Sequence, residues 1–100
     1  MDLRPLRLVT IVAEHLLRDR LIDDLRALGA RGYTVTEVSG EGSRGVRAAE
    51  WEGRSVRFEV IASAAVAEAV LGRLASDYFQ HYAVIAWVEM VEVVRGDKYV

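Results

Sequence analysis

The hydrophobic residues of this chain alternate between the spacing of a strand and that of a helix, which constrains the fold more than any other feature. Residues 6–13 (LRLVTIVA) are rich in β-branched side chains and predict a first strand. Leucines then recur every three or four positions, which predicts an amphipathic helix over residues 14–28, with Gly29 placed to end it. Residues 33–38 (YTVTEV) predict a second strand.

The second half of the chain repeats this order after a segment of a different kind. Residues 39–53 contain four glycines and no sustained period, which predicts a long loop. Strands are predicted over residues 55–61 and 84–94, with an alanine-rich helix over residues 64–78 between them. Two such units predict one α+β domain over residues 1–100 of the ferredoxin-like βαββαβ type. Its four-stranded antiparallel sheet would carry two helices on one face.

Composition excludes several classes of function. The 100 residues, 52% of them hydrophobic, suffice for one core, and a formal charge of −2 argues against nonspecific binding to nucleic acid. The absence of cysteine excludes disulfides, cysteine-ligated zinc and thiol nucleophiles. Two histidines far apart in sequence, His15 and His81, give no support for a metal site. No apolar stretch is long enough to span a membrane, so we expect a cytoplasmic protein.

The last predicted strand is mainly apolar on both of its faces. One alternate set is Val84, Ala86, Val88 and Met90, and the other is Ile85, Trp87, Val91 and Val93, interrupted by Glu89. Two helices can cover only one face of the sheet, so an apolar second face predicts self-association into a closed oligomer. If Glu89 is buried there, we expect an arginine of a neighbouring subunit to pair with it.

A glycine-rich run, GEGSRGVR over residues 40–47, follows the second predicted strand directly. Glycines let successive backbone N–H groups approach an anion, and Ser43, Arg44 and Arg47 add donors suited to phosphate. The run matches neither the Walker A pattern nor the dinucleotide-binding fingerprint. On these residues alone, a phosphate site and a plain solvated loop remain equally good interpretations.

A family resemblance decides between the two. The segment over residues 29–47, GARGYTVTEVSGEGSRGVR, resembles the second strand and T-loop entrance of the nitrogen-regulatory PII superfamily. Tyr33 and the run that follows it are similar to PII-like regulators associated with bicarbonate transport and carboxysome gene clusters. The motif YFxxYA over residues 78–83 is similar to that branch as well, as are Glu92, Val93 and Gly96.

The resemblance implies a trimer that binds adenine nucleotides in the clefts between subunits. Its T-loop, residues 39–53 here, would report the bound nucleotide to a partner such as a bicarbonate transporter or a carboxysome-associated protein. Carried over by position, the residues that border base and ribose are Thr34, Val38 and Ser39. Those that meet the phosphates are Gly40, Gly42, Ser43, Arg44 and Arg47. Ala83 would close the cleft, and Arg95 would correspond to a C-terminal phosphate-binding arginine.

This chain also departs from the PII pattern. The B-loop glycines and lysine are missing, since residues 80–83 read QHYA, so a triphosphate loses a charge partner. We therefore expect AMP or ADP to bind in preference to ATP, with cyclic AMP as a further candidate. The predicted loop has no tyrosine, which excludes uridylylation there, and no C-terminal cysteine pair is present for a thiol switch. Bicarbonate as a second ligand follows from the resemblance alone.

Other interpretations of the same residues remain open. Trp51 in the predicted loop either anchors a partner or packs against its own domain. The alternative function is a small ferredoxin-like enzyme, such as an acylphosphatase-like hydrolase or a cofactor-free oxygenase, but no nucleophile–base pair is apparent. An RNA-binding module would require stacking aromatics on the central strands, and residues 6–13 have none.

Overall fold

The computed structural model describes residues 1–39 and 54–100. Its strands are β1 (Leu3–Glu14), β2 (Thr34–Val38), β3 (Ser55–Ala62) and β4 (Val84–Val94), and its helices are α1 (Arg18–Ala27) and α2 (Ala64–Asp77). The strands of this part of the chain form one sheet in the order β2-β3-β1-β4, and every neighbouring pair is antiparallel. This arrangement confirms the predicted βαββαβ fold. Within the same residues, no helix is long and apolar enough to cross a membrane.

The core lies between the sheet and the two helices. In β3, buried and half-buried residues alternate strictly, so Val56, Phe58 and Val60 face the helices. The β1 residues Val9 and Ile11 lie on the same face and are fully buried. The helices contribute side chains at three- and four-residue spacing, namely Leu21, Leu25, Ala67, Val70 and Leu74. The periodicity in the sequence therefore identifies the core-facing positions correctly.

Two boundaries differ from the sequence prediction. β1 begins at Leu3 because it pairs with the end of β4, whereas β3 stops opposite Arg7. Pro5 thus has a neighbouring strand, β4, on one side only. At the unpaired side a missing N–H is tolerated. A short 3₁₀ helix, His15–Leu17, precedes α1 where the spacing of the leucines predicts one continuous helix. The conformation of Gly29, with φ of +100°, confirms its role in ending α1.

A second 3₁₀ helix, Gly96–Tyr99, follows β4 and packs against β1. The chain turns there through Arg95, which has φ of 61°. Gly96 is buried so close to Arg4 that a Cβ atom would lie 2.7 Å from the Arg4 Cβ atom. This close approach explains the glycine, and no local pattern in the sequence predicts the element.

The face of the sheet opposite the helices is here called the open face. It carries exposed apolar side chains, including Ile85 at 58% and Trp87 at 38% exposure, and Arg57 lies over the Trp87 ring at 5.6 Å. Glu89 is exposed in the single protomer. On the helix side of β4, Met90 is 76% exposed because α1 and α2 do not extend over that end of the strand. Both faces of β4 therefore present apolar surface, and oligomer formation stays a prediction.

Candidate functional site

The two ends of the segment 40–53 meet the sheet at one end, here called the loop end. Strand pairing places Val38 opposite Ser55 and Ser55 opposite Glu14, and Ala13 lies opposite Val84. The last residues of β2 and β1 therefore lie in one row with the first residues of β3 and β4.

Charged side chains connect β2 and β3 at the loop end. Arg54 donates to a Glu37 carboxylate oxygen at 3.0 Å, and Nδ1 of His15 lies 3.7 Å from the other oxygen. The backbone N–H of His15 also donates to the Arg54 carbonyl at 3.3 Å. All three side chains are partly exposed, so the ion pair between Arg54 and Glu37 contributes at most about 1 kcal/mol. Their effect is to position the two strand ends from which the segment leaves.

The turn before β4 is held by a carboxylate. A Glu14 oxygen accepts a hydrogen bond from the backbone N–H of Ala83 at 2.7 Å. Arg20 of α1 donates to the Tyr82 hydroxyl at 3.3 Å, and its guanidinium carbon lies 4.5 Å from the centre of the Tyr78 ring. The turn is thus bonded both to the end of β1 and to the first helix.

A second polar cluster joins the two helices beneath this turn. The Tyr78 hydroxyl donates to Asp24, whose other oxygen accepts from Arg73 at 2.8 Å. Burial, together with the hydrogen bond to Asp24 and its negative charge, raises the pKa of Tyr78 well above its ordinary value. Arg20 and Arg73 oppose this shift without cancelling it. The cluster therefore holds Tyr78 neutral and fixes the start of the turn.

Replacing Tyr78 with phenylalanine is expected to destabilise the fold by about 1–2 kcal/mol, because a hydrogen bond to a partly buried carboxylate is lost. Since the folded state holds the Tyr78 proton more tightly, the stabilisation is complete below pH 10.0 and declines above it. Melting temperatures of both proteins at about pH 8 and about pH 11 test this. The melting temperature of the wild type should fall more between the two pH values than that of Tyr78→Phe. An equal fall would contradict the stabilising role of the Tyr78 hydroxyl.

The described site residues predicted from the sequence fall in three places. Val38 ends edge strand β2 at the loop end, and Ser39 follows it. Thr34 lies four residues before Val38, on the same open face. Ala83 lies at the loop end beside the opposite edge strand, β4, about 14 Å across the sheet from Val38. Arg95 follows the far end of β4. The predicted residues that lie outside the described residues are Gly40, Gly42, Ser43, Arg44, Arg47 and Trp51.

Ala83 and Arg95 cannot contact the same small ligand within one protomer. The extended strand between them has 11 residues and separates them by roughly 35 Å, more than the length of an adenine mononucleotide. The sequence prediction named both as parts of one cleft. If both border one ligand, they come from different copies of the chain.

Several contacts at the loop end were not predicted from the sequence. Glu14 and Ala83 are 69 positions apart, and Glu37 and Arg54 are 17 apart, so no local pattern reveals either contact. Only the pairing of the strands brings them together. Among residues 1–39 and 54–100, no group of three or more His, Cys, Asp or Glu side chains could hold a metal ion.

Comparison with known proteins identifies the class to which this fold and its long β2–β3 connection belong. The family model described as nitrogen regulatory protein P-II matches residues 6–98. A protein of Thermus thermophilus described as a PII-like signaling protein is 60% identical over 100% of both chains, with a TM-score of 0.87. The fold is that of the PII-like signalling proteins, and the resemblance found in the sequence is confirmed. The chain belongs to the nitrogen regulatory protein P-II family.

More distant structures share the fold. CPII from Thiomonas intermedia K12, in a structure bound to ADP and bicarbonate, is 23% identical and covers 99% of this chain and 98% of its own, with a TM-score of 0.87. Its apo form is 18% identical and covers 92% of this chain and 95% of its own, with a TM-score of 0.74. At these identities, the likeness establishes the shared architecture.

Proposed function

We propose that this protein is a non-enzymatic regulator that binds an adenine nucleotide in clefts between the subunits of a homotrimer. One observation carries the proposal: the family match over residues 6–98 includes the glycine–arginine run 40–47, which follows the end of β2 directly. Backbone N–H groups, Ser43, Arg44 and Arg47 would hold the phosphates. The whole chain, 1–100, forms one domain, with residues 39–53 as its T-loop.

Assembly from identical subunits is supported by two features of the described residues. The open face carries Ile85 and Trp87 as exposed apolar side chains, which a second copy would cover. The separation of Ala83 from Arg95 requires two protomers for one ligand that touches both. Thr34, Val38 and Ser39 would contact the base and ribose from the β2 edge. Closed rotational symmetry then gives three equivalent clefts.

AMP or ADP is the proposed nucleotide, and bicarbonate is the proposed second ligand. The turn 80–83 contains no lysine or arginine to bind a third phosphate. CPII, which shares this fold, is described in structures bound to ADP, AMP and bicarbonate. We extend this to a role in inorganic-carbon metabolism, in which the T-loop, including Trp51, contacts a transporter or a carboxysome-associated protein.

Isothermal titration calorimetry of the full chain with AMP, ADP, ATP and cyclic AMP tests the proposal. We expect one nucleotide per protomer, AMP or ADP binding tighter than ATP, and no turnover of any of the four. Repeating the ADP titration with and without bicarbonate tests the second ligand. Absence of binding by all four nucleotides would overturn the proposal, and tightest binding by ATP would overturn the preference for fewer phosphates.

A further inference from the structure

The carboxylate of Glu14 occupies a position where an anion-binding site needs a donor. Glu14 is the last residue of β1 and is partly buried, and its carboxylate takes the Ala83 N–H at 2.7 Å. That N–H belongs to the turn proposed to close the nucleotide cleft. It is therefore unavailable to a phosphate oxygen while Glu14 is charged and in place.

Strand order places Glu14 between the base of the T-loop and the turn 80–83, the two elements proposed to enclose the phosphates. From the base of the T-loop, at Val38 and Ser55, the row of strand ends continues through Glu14 before it reaches Ala83. Neighbouring strands are about 4.8 Å apart, so a phosphate that extends from the T-loop base towards the turn comes within a few ångströms of this carboxylate. At such a distance two negative charges repel strongly, even with partial screening by salt.

Among residues 1–39 and 54–100, no cation is placed to offset this repulsion at the turn. Residues 80–83 supply only His81 as a group that can carry a positive charge, and it is exposed. Arg20 lies against the rings of Tyr78 and Tyr82, and Arg54 pairs with Glu37 at 3.0 Å. In the part of the chain that the structure describes, the turn 80–83 thus faces a carboxylate and offers no lysine or arginine to a third phosphate.

We infer that Glu14 is a specificity-determining residue that limits the bound nucleotide to one or two phosphates. The inference rests on the proposed function. It attributes the preference for AMP or ADP to two causes: the carboxylate of Glu14 and the absence of a lysine from the turn 80–83. Removing the charge of Glu14 should therefore raise the affinity for ATP relative to that for AMP without changing the fold.

The test is calorimetric titration of AMP and ATP into the wild type and into Glu14→Gln. A glutamine keeps the length of the side chain, and its amide oxygen still accepts the Ala83 N–H. We expect ATP affinity to rise about tenfold and AMP affinity to stay within about twofold. Glu68→Gln, an exposed substitution on α2, is the matched control and should leave both affinities unchanged. Glu14→Ala, which removes the carboxylate altogether and releases the Ala83 N–H, should also favour ATP and serves if Glu14→Gln does not fold.

The outcomes separate this inference from the function on which it rests. Nucleotide binding with the same ATP-to-AMP ratio in Glu14→Gln and the wild type would overturn the role of Glu14 alone. The same holds for an unchanged ratio in Glu14→Ala. No binding of any nucleotide by the folded wild type would overturn the proposed function and this inference together. A selective gain in ATP affinity in Glu14→Gln, absent in Glu68→Gln, supports it.

Discussion

Replacing Ile85 with aspartate is expected to convert the proposed trimer into monomers and to remove adenine nucleotide binding. Ile85 is largely exposed on the open face of one protomer, so the isolated chain should tolerate the change. In the trimer the new carboxylate would be buried without a partner, which costs several kcal/mol. Binding is lost with assembly, because Ala83 and Arg95 can reach one ligand only from different protomers.

Light scattering and calorimetry measure the two effects of this substitution. The wild type should have three times the 11.1 kDa mass of one chain, and Ile85→Asp should have the mass of one. Ala69→Asp, which adds the same charge to an exposed position of α2, should remain trimeric and bind nucleotide. A trimeric Ile85→Asp protein with wild-type affinity would show that the open face is not the subunit interface.

The double substitution Arg44→Ala with Arg47→Ala is expected to weaken nucleotide binding roughly 100-fold or more while the trimer persists. A hydrogen bond from a charged donor contributes about 1.5–3 kcal/mol, and the substitution removes two such donors from the phosphates. Calorimetry measures the affinity, and light scattering confirms the assembly. Arg26→Ala, an exposed change in the last turn of α1, should bind as the wild type does. Unchanged affinity in the double variant would reassign the phosphate site to other residues.

The Ile85 and arginine variants separate assembly from ligand contact. The first should lose both the trimer and the nucleotide, and the second should lose only the nucleotide. If the arginine variant also dissociated, the T-loop base would be part of the interface between subunits. The comparison therefore tests whether the trimer assembles without bound nucleotide.

The predicted strands and helices agree with the structure because each depends on local spacing. Alternation along β3 and three- and four-residue spacing in α1 and α2 reflect which side chains face the core. The prediction failed where packing at a distance decides the boundary. β1 extends to Leu3 because the end of β4 pairs with it, and the helix Gly96–Tyr99 forms where Gly96 fits against Arg4.

The sequence alone determined the fold, the family and the glycine–arginine run that follows β2. It also showed that β4 is apolar on both faces, because these properties are carried by neighbouring residues. Only the tertiary structure showed that Glu14 bonds to Ala83 and that Ala83 and Arg95 lie at opposite ends of β4. Contacts between residues distant in sequence depend on strand order and register, which many strands establish together and no single segment encodes.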